Sequence, residues 1–183
     1  MLLIRFHKIF ENKIMIKKIF FALLVVVAFA GCLKNTDQNT TTCTYDACAN
    51  KAPAAEIDSL RKYLAANNIN ATEHCSGVFY QISNPGTGAT PIPCKRVAVR
   101  YKGMLTNGSV FDEQTSPQTF PLNGVIPGWT NTVPLIKEGG SINLYIPPSL
   151  GYGSQEKRNA AGAVVIPANS ILVFTINLDA AEQ

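Results

Sequence analysis

From Gly77 the apolar period changes to two in a series of short segments, which puts one side of each segment on a core and the other toward solvent. Val78-Phe79-Tyr80-Gln81-Ile82 is the first such strand, closed by the turn-forming Asn84-Pro85-Gly86-Thr87-Gly88. Val97-Ala98-Val99-Arg100-Tyr101 is the second. Asn107-Gly108, a strong hairpin dipeptide, joins Met104-Leu105 to Val110-Phe111. Ser141 to Ile146 and the nearly all-apolar Ile171 to Leu178 complete the set. A short helix is predicted from Trp129 to Ile136, behind Gly128 and stopping at Gly139-Gly140. Strands joined by short helices predict an α+β fold, a mostly antiparallel sheet with a helix on one face. A separate helix is predicted from Pro53 to Asn68. Pro53 suits a first turn, Ile57, Leu60 and Leu64 share a face, and Asn67-Asn68 is a stop. It reads as a packing element beside the main domain, with a partner-binding or dimerisation helix as the alternative.

A chain of 183 residues has room for one ordinary domain with appendages. Its formal charge of +4 resides in residues 1–31, so the remainder is balanced and lacks the basic footprint of a nucleic-acid binder. Within the leader, Lys17-Lys18 precedes an apolar run from Ile19 to Ala30 that ends in Ala30-Gly31-Cys32. A charged start, a short apolar stretch and small residues before a cut describe a secretory signal. The run is about a dozen residues, short of the roughly 20 needed to span a bilayer. Ala30-Gly31-Cys32 looks like a bacterial lipobox, with Phe29 in place of the usual aliphatic residue, and makes Cys32 the lipidated first residue of the mature protein. The expected location is the bacterial cell envelope, lipid-anchored at the outer membrane and facing the periplasm or the cell surface. Met15 offers a more typical signal start than Met1.

With Cys32 acylated, Cys43, Cys48, Cys75 and Cys94 remain, enough for two disulfides with three connectivities. No Cys-x-x-Cys spacing favours zinc or redox exchange. His7 lies in the leader, and His74 alone does not build a metal site, so it reads as a loop residue. Nucleophile elbows, zinc-helix motifs and phosphate loops are missing from the sequence. Asp112 and Glu113 are adjacent rather than facing, a poor pair for glycoside chemistry. What remains is a reaction that needs no nucleophile, metal or cofactor, or pure binding.

Two segments supply the chemistry. Val125-Ile126-Pro127-Gly128-Trp129 sets the chain's one tryptophan behind a turn, beside two β-branched residues. Ile146-Pro147-Pro148-Ser149-Leu150-Gly151-Tyr152-Gly153 brings a tyrosine to a strand end between glycines. An indole, a phenol and small aliphatic side chains are suited to line a pocket the size of a pyrrolidine ring. Together with Val99 to Leu105, Asn107 to Asp112, Phe120-Pro121-Leu122, Gly139-Gly140 and Ile166-Pro167 to Phe174, these segments follow one another in register. Residues 77–178 thereby resemble an FKBP-type peptidyl-prolyl cis-trans isomerase domain.

The resemblance implies a five-stranded antiparallel sheet wrapped around one short helix, with the pocket between them. Trp129 would form the floor, and Tyr101, Phe111, Val125, Ile126, Ile166 and Phe174 the walls. Asp112 and the Tyr152 hydroxyl would supply polar contacts, and the Ile126 N–H would bond a substrate carbonyl. Phe120 and Leu172 read as core. The implied partners are proline-containing polypeptides and macrolide-type inhibitors. Two departures bear on preference. Gln118 stands where the family often has a bulky apolar wall residue, and the loop from Ser154 to Val165 is long, its Glu156-Lys157-Arg158 reading as a solvated tip.

In the implied sheet order, Cys75 and Cys94 precede antiparallel strands that are not neighbours and so sit at opposite ends, beyond the roughly 7 Å Cα limit for a bridge. Cys43 and Cys48 are therefore each expected to reach one of them. The expected organisation is signal 1–31, tether 32–52, helix and linker 53–74, and isomerase domain 75–183.

The chemistry agrees with the resemblance. Rotation about an amide has a barrier of about 18–20 kcal/mol because planarity preserves C–N resonance. Xaa-Pro bonds populate both isomers and exchange over roughly tens to hundreds of seconds, so catalysis helps a folding chain. The twisted transition state is less polar at its carbonyl, and a dry aromatic pocket with fixed donors favours it. The competing function is a non-catalytic module of the same fold that holds polypeptides or a partner at the membrane.

Overall fold

The alternating segments pair antiparallel throughout. In the computed structural model, which describes residues 43–183, helix α1 (Ala54–Ala66) is followed by strands β1 (Thr72–Glu73), β2 (Phe79–Asn84), β3 (Arg96–Leu105) and β4 (Val110–Pro121). Helix α2 (Pro127–Thr132) leads to β5 (Ser141–Ile146), β6 (Lys157–Arg158), β7 (Val164–Ile166) and β8 (Leu172–Ala181). The signal segment and Cys32 lie outside the described residues.

The main sheet runs β1-β2-β5-β8-β3-β4, and β6 and β7 form a separate two-stranded ribbon. The five expected strands are all present. The sixth, β1, is a two-residue edge strand pairing Thr72 with Tyr80 and Glu73 with Phe79, too short to leave a periodic signal. In the centre of the sheet the period of two becomes burial: Leu172, Phe174, Ile176 and Leu178 of β8 and Val97, Val99 and Tyr101 of β3 face inward.

Helix α2 begins at Pro127, two residues before the expected start, because proline fixes φ and needs no N–H partner in a first turn. It then tightens into a 3-10 turn at Val133–Leu135. It packs so close to β5 that a Cβ on Gly128 would stand 2.6 Å from Ile146 Cγ2. Only glycine permits that approach, and the approach sets the height of Trp129 above the sheet.

Strand β4 runs well past the expected Val110-Phe111. Val99 pairs with Gln118 but Tyr101 with Gln114, so Thr115, Ser116 and Pro117 together face Arg100. This bulge lies on an outer edge strand, where proline costs no ladder hydrogen bond to a further strand.

Helix α1 buries Ile57, Leu60 and Leu64 in the same core as the sheet, each worth about 1.5–3 kcal/mol of apolar transfer. Disulfides join Cys43 to Cys94 and Cys48 to Cys75, with Cα separations of 5.7 and 5.4 Å. Cys43 and Cys48 thus each reach one of the two distant cysteines, since β5 and β8 lie between β2 and β3. The half-buried His74 rests against Cys75 Sγ at 3.7 Å and holds Ser76 Oγ at 2.9 Å from its Nδ1. Burial lowers its pKa, so the ring is neutral at pH 7. Cys48, His74 and Cys75 cluster closely, but both sulfurs are committed to the disulfide.

Candidate functional site

The site forms where β3, β4 and β8 curl over α2. Gly103 of β3 lies opposite both Asp112 and Phe174. A Cβ there would come within 2.6 Å of the Phe111 ring and 2.7 Å of the Phe174 ring. The missing side chain lets these two rings meet edge-on, 5.5 Å apart, over the strand.

Trp129 closes the floor. Its indole is 4% exposed and meets Tyr101 and Phe174 edge-on, each at 5.1 Å, and Phe120 at 6.3 Å. The helix that carries it is tied down by Thr130 Oγ1, which donates to the Leu122 carbonyl at 2.7 Å, while Thr132 Oγ1 donates back within the helix to the Gly128 carbonyl at 2.6 Å. The Trp129 Nε1–H is buried and has no acceptor among the described residues.

The rings enclose a cavity of about 300 Å³ lined by Tyr101, Phe111, Asp112, Phe120, Gly124, Val125, Ile126, Trp129, Tyr152 and Phe174. Eight of the expected site residues converge there. Ile166 does not: it is the inward residue of β7, 4% exposed, opposite Lys157 in the ribbon, and belongs to the core. Phe120, expected to be core, instead lines the cavity. It shares the inner face of β4 with Gln118, which does not line it. Aromatic wall on this strand therefore comes from Phe120. Gly124 was invisible to side-chain reasoning, because it contributes only backbone.

Polar groups are few and placed. The Tyr101 hydroxyl donates to Asp112 Oδ2 at 2.6 Å, which fixes an otherwise exposed carboxylate at the rim. Burial first, and then the Asp112 bond, push the Tyr101 phenol far above its ordinary pKa. Burial and the Asp112 charge raise Tyr152 as well, so both phenols stay protonated at neutral pH. Neither the Tyr152 hydroxyl nor the Ile126 N–H has a protein acceptor among the described residues. Two free donors thus border an aromatic floor.

The turn carrying Tyr152 is held from several sides. Pro148–Leu150 forms a 3-10 turn whose Ser149 N–H donates to Glu56 Oε2 of α1 at 2.9 Å. The Gly153 N–H donates to the Pro148 carbonyl at 2.8 Å. On the opposite flank, the Tyr45 hydroxyl donates to Asn131 Oδ1 of α2. Segments before the sheet therefore touch both elements that present the cavity's key rings. Of Glu156-Lys157-Arg158, the outer two are exposed as a solvated tip requires, but Lys157 and Arg158 form β6 and the Lys157 ammonium stands 4.8 Å from the centroid of the Tyr152 ring. The β6–β7 pairing pulls this segment back over the domain, which an isolated run of charged residues does not reveal.

The arrangement suits an uncharged, compact ring with a nearby carbonyl. The Tyr101 hydroxyl bonds the Asp112 carboxylate, but its raised pKa keeps the phenol protonated and a poor nucleophile, so the geometry supports binding and twisting rather than covalent chemistry.

Comparison with known proteins points the same way. The family model for FKBP-type peptidyl-prolyl cis-trans isomerase matches residues 88–179. The isomerase FkpA of Aeromonas hydrophila is 40% identical over 154 residues, covering 76% of this chain and 54% of that protein. FkpA of Escherichia coli K12 is 39% identical over 136 residues, covering 73% and 47%. The chain thus spans about half the length of these curated relatives. Among solved structures, a peptidyl-prolyl cis-trans isomerase from Pseudomonas syringae pv. tomato superposes with a TM-score of 0.61 at 34% identity, covering 73% of this chain and 99% of that one. The E. coli FkpA crystal structure gives 0.58 at 37% identity, over 69% and 59%.

Proposed function

The chain belongs to the FKBP-type peptidyl-prolyl cis-trans isomerase family, and from that membership we propose that it catalyses rotation about Xaa-Pro bonds in exported polypeptides, without cofactor or covalent intermediate. One observation carries the reading: two donors without protein acceptors among the described residues, the Tyr152 hydroxyl and the Ile126 N–H, beside an aromatic cavity floored by Trp129. The proline ring lies on the indole, between Phe111, Val125 and Phe174. The Ile126 N–H bonds a substrate carbonyl and holds the peptide on one side of the rotating bond. The Tyr152 hydroxyl and Asp112, held by Tyr101, restrain the other side. Dry aromatic walls favour the twisted amide, whose carbonyl has lost polarity with its resonance. Macrolide-type ligands would compete for the same floor.

A cis/trans exchange assay on a short Xaa-Pro peptide tests this. Tyr152→Phe removes one hydroxyl and keeps the ring. It should cost about 1–2 kcal/mol, roughly a five- to thirtyfold loss in kcat/KM. Asp112→Val should cost more, because it also leaves the half-buried Tyr101 hydroxyl without its acceptor. A folded, oxidised wild-type protein with no rate above background would leave the non-catalytic polypeptide-binding module in its place.

The location follows from the leader. Cleavage before Cys32 and acylation of its thiol and new amino group would anchor the domain in the bacterial envelope, at the outer membrane, because several acyl chains hold where one is marginal. Intact mass of membrane-extracted protein should carry the added acyl chains on an N-terminal Cys32. An unmodified mature form beginning elsewhere would sink the anchor.

A further inference from the structure

Lys157 is a cation set against a ring that lines the cavity. Its ammonium sits 4.8 Å from the centroid of the Tyr152 ring, and Tyr152 lines the cavity. The ribbon that presents it is well tied. Lys157 lies opposite the buried Ile166, while Arg158 donates to the Gly162 carbonyl at 2.6 Å and pairs with Glu156 at 2.6 Å. Arg158 thereby neutralises the neighbouring carboxylate. Among the described residues Lys157 has no carboxylate partner. The ring attracts one side of an ammonium, and the remaining N–H donors face outward. Asp112, fixed by Tyr101, presents the opposite charge at the rim.

We propose that Lys157 is a specificity-determining residue: it selects Xaa-Pro segments that carry an acidic side chain within one residue of the proline, on the flank lying toward Tyr152. The inference rests on the isomerase reading of the cavity. An Asp or Glu there would meet the free ammonium donors. A Lys or Arg would meet like charge.

The test uses the oxidised protein and two sets of peptides. Each set has Glu, Gln or Lys at one position, immediately before the proline in one set and immediately after it in the other. The quantity read is the ratio of kcat/KM for the Glu peptide to that for the Lys peptide, in wild type, Lys157→Met and Lys157→Glu. On one flank the wild-type ratio should be about two- to fivefold, the scale of a single exposed ion pair. It should fall toward one in Lys157→Met and invert in Lys157→Glu. In 1 M salt, where the screening length is about 3 Å, the wild-type ratio should also fall toward one. A Lys157 that merely steadied Tyr152 would change all peptides alike and leave the ratio unmoved. A wild-type ratio of one on both flanks, or one insensitive to both salt and substitution, overturns the inference while the isomerase reading stands. No turnover of the Gln peptide by wild type overturns both.

Discussion

Trp129→Ala is expected to lower kcat/KM for an Xaa-Pro peptide by at least about a hundredfold, close to 2.7 kcal/mol of transition-state stabilisation. The indole touches Tyr101, Phe120 and Phe174 together, and its removal opens the floor to water. Wetting the site raises the effective dielectric around the donors and removes the surface that holds the ring. The same substitution also leaves a hole in the core, at about 3–5 kcal/mol for a buried aromatic. Urea unfolding must therefore accompany the exchange assay. Trp129→Phe separates the two effects: it keeps an apolar floor at reduced area and should fall between wild type and alanine in both measurements. Folded Trp129→Ala protein that turns peptide over at the wild-type rate would remove this cavity from the mechanism.

Features that repeat locally were readable in the chain. Ser141 to Ile146 was bounded correctly because all of its inward residues are apolar and a glycine pair and a proline pair flank it. Trp129 and Tyr152 stood out because glycines mark places where the backbone comes close to something else, here Ile146 beneath Gly128 and Leu172 beneath Gly151. What could not be read depends on register between distant strands. Phe120 reaches the cavity on a strand that has absorbed a bulge at Thr115–Pro117, and no local pattern announces where such a bulge falls. Ile166 looked like wall by position in a motif, yet the ribbon register turns it into the core. Lys157 was hidden for the same reason, since a charged tripeptide is ordinarily solvated and only the β6–β7 pairing lays it over Tyr152. The glycine-marked turns were legible as local chemistry, whereas these three residues owe their places to pairing between segments.

Loss of the two disulfides is expected to have the largest effect on stability. Cys43–Cys94 spans 51 residues and Cys48–Cys75 spans 27. Loop-closure entropy then assigns roughly 4 and 3.5 kcal/mol to them taken singly. The smaller loop is nested within the larger, so each already restricts the other's unfolded chain, and the pair should contribute less than the sum of the two. Replacing Cys43 and Cys94 by serine should cost more than replacing Cys48 and Cys75. Denaturant unfolding of the two double variants checks the order, and equal midpoints would contradict it. The sheet's own core does not depend on the bridges, because Val97, Ile142, Leu144, Phe174 and Ile176 are buried on strands joined by backbone ladders. The fully reduced protein should therefore loosen first at residues 43–52, with α1 following. That loosening reaches the site. Tyr45 releases Asn131 on α2, and Glu56 releases Ser149 on the turn before Tyr152, so exchange activity should decline before the sheet unfolds. Hydrogen exchange on the reduced protein, read beside the peptide assay, should show protection lost on α1 while β3, β5 and β8 retain theirs. Simultaneous loss across helix and sheet would mean that the clipped N-terminal segment and the sheet form a single cooperative unit, and the expected order of events would be wrong.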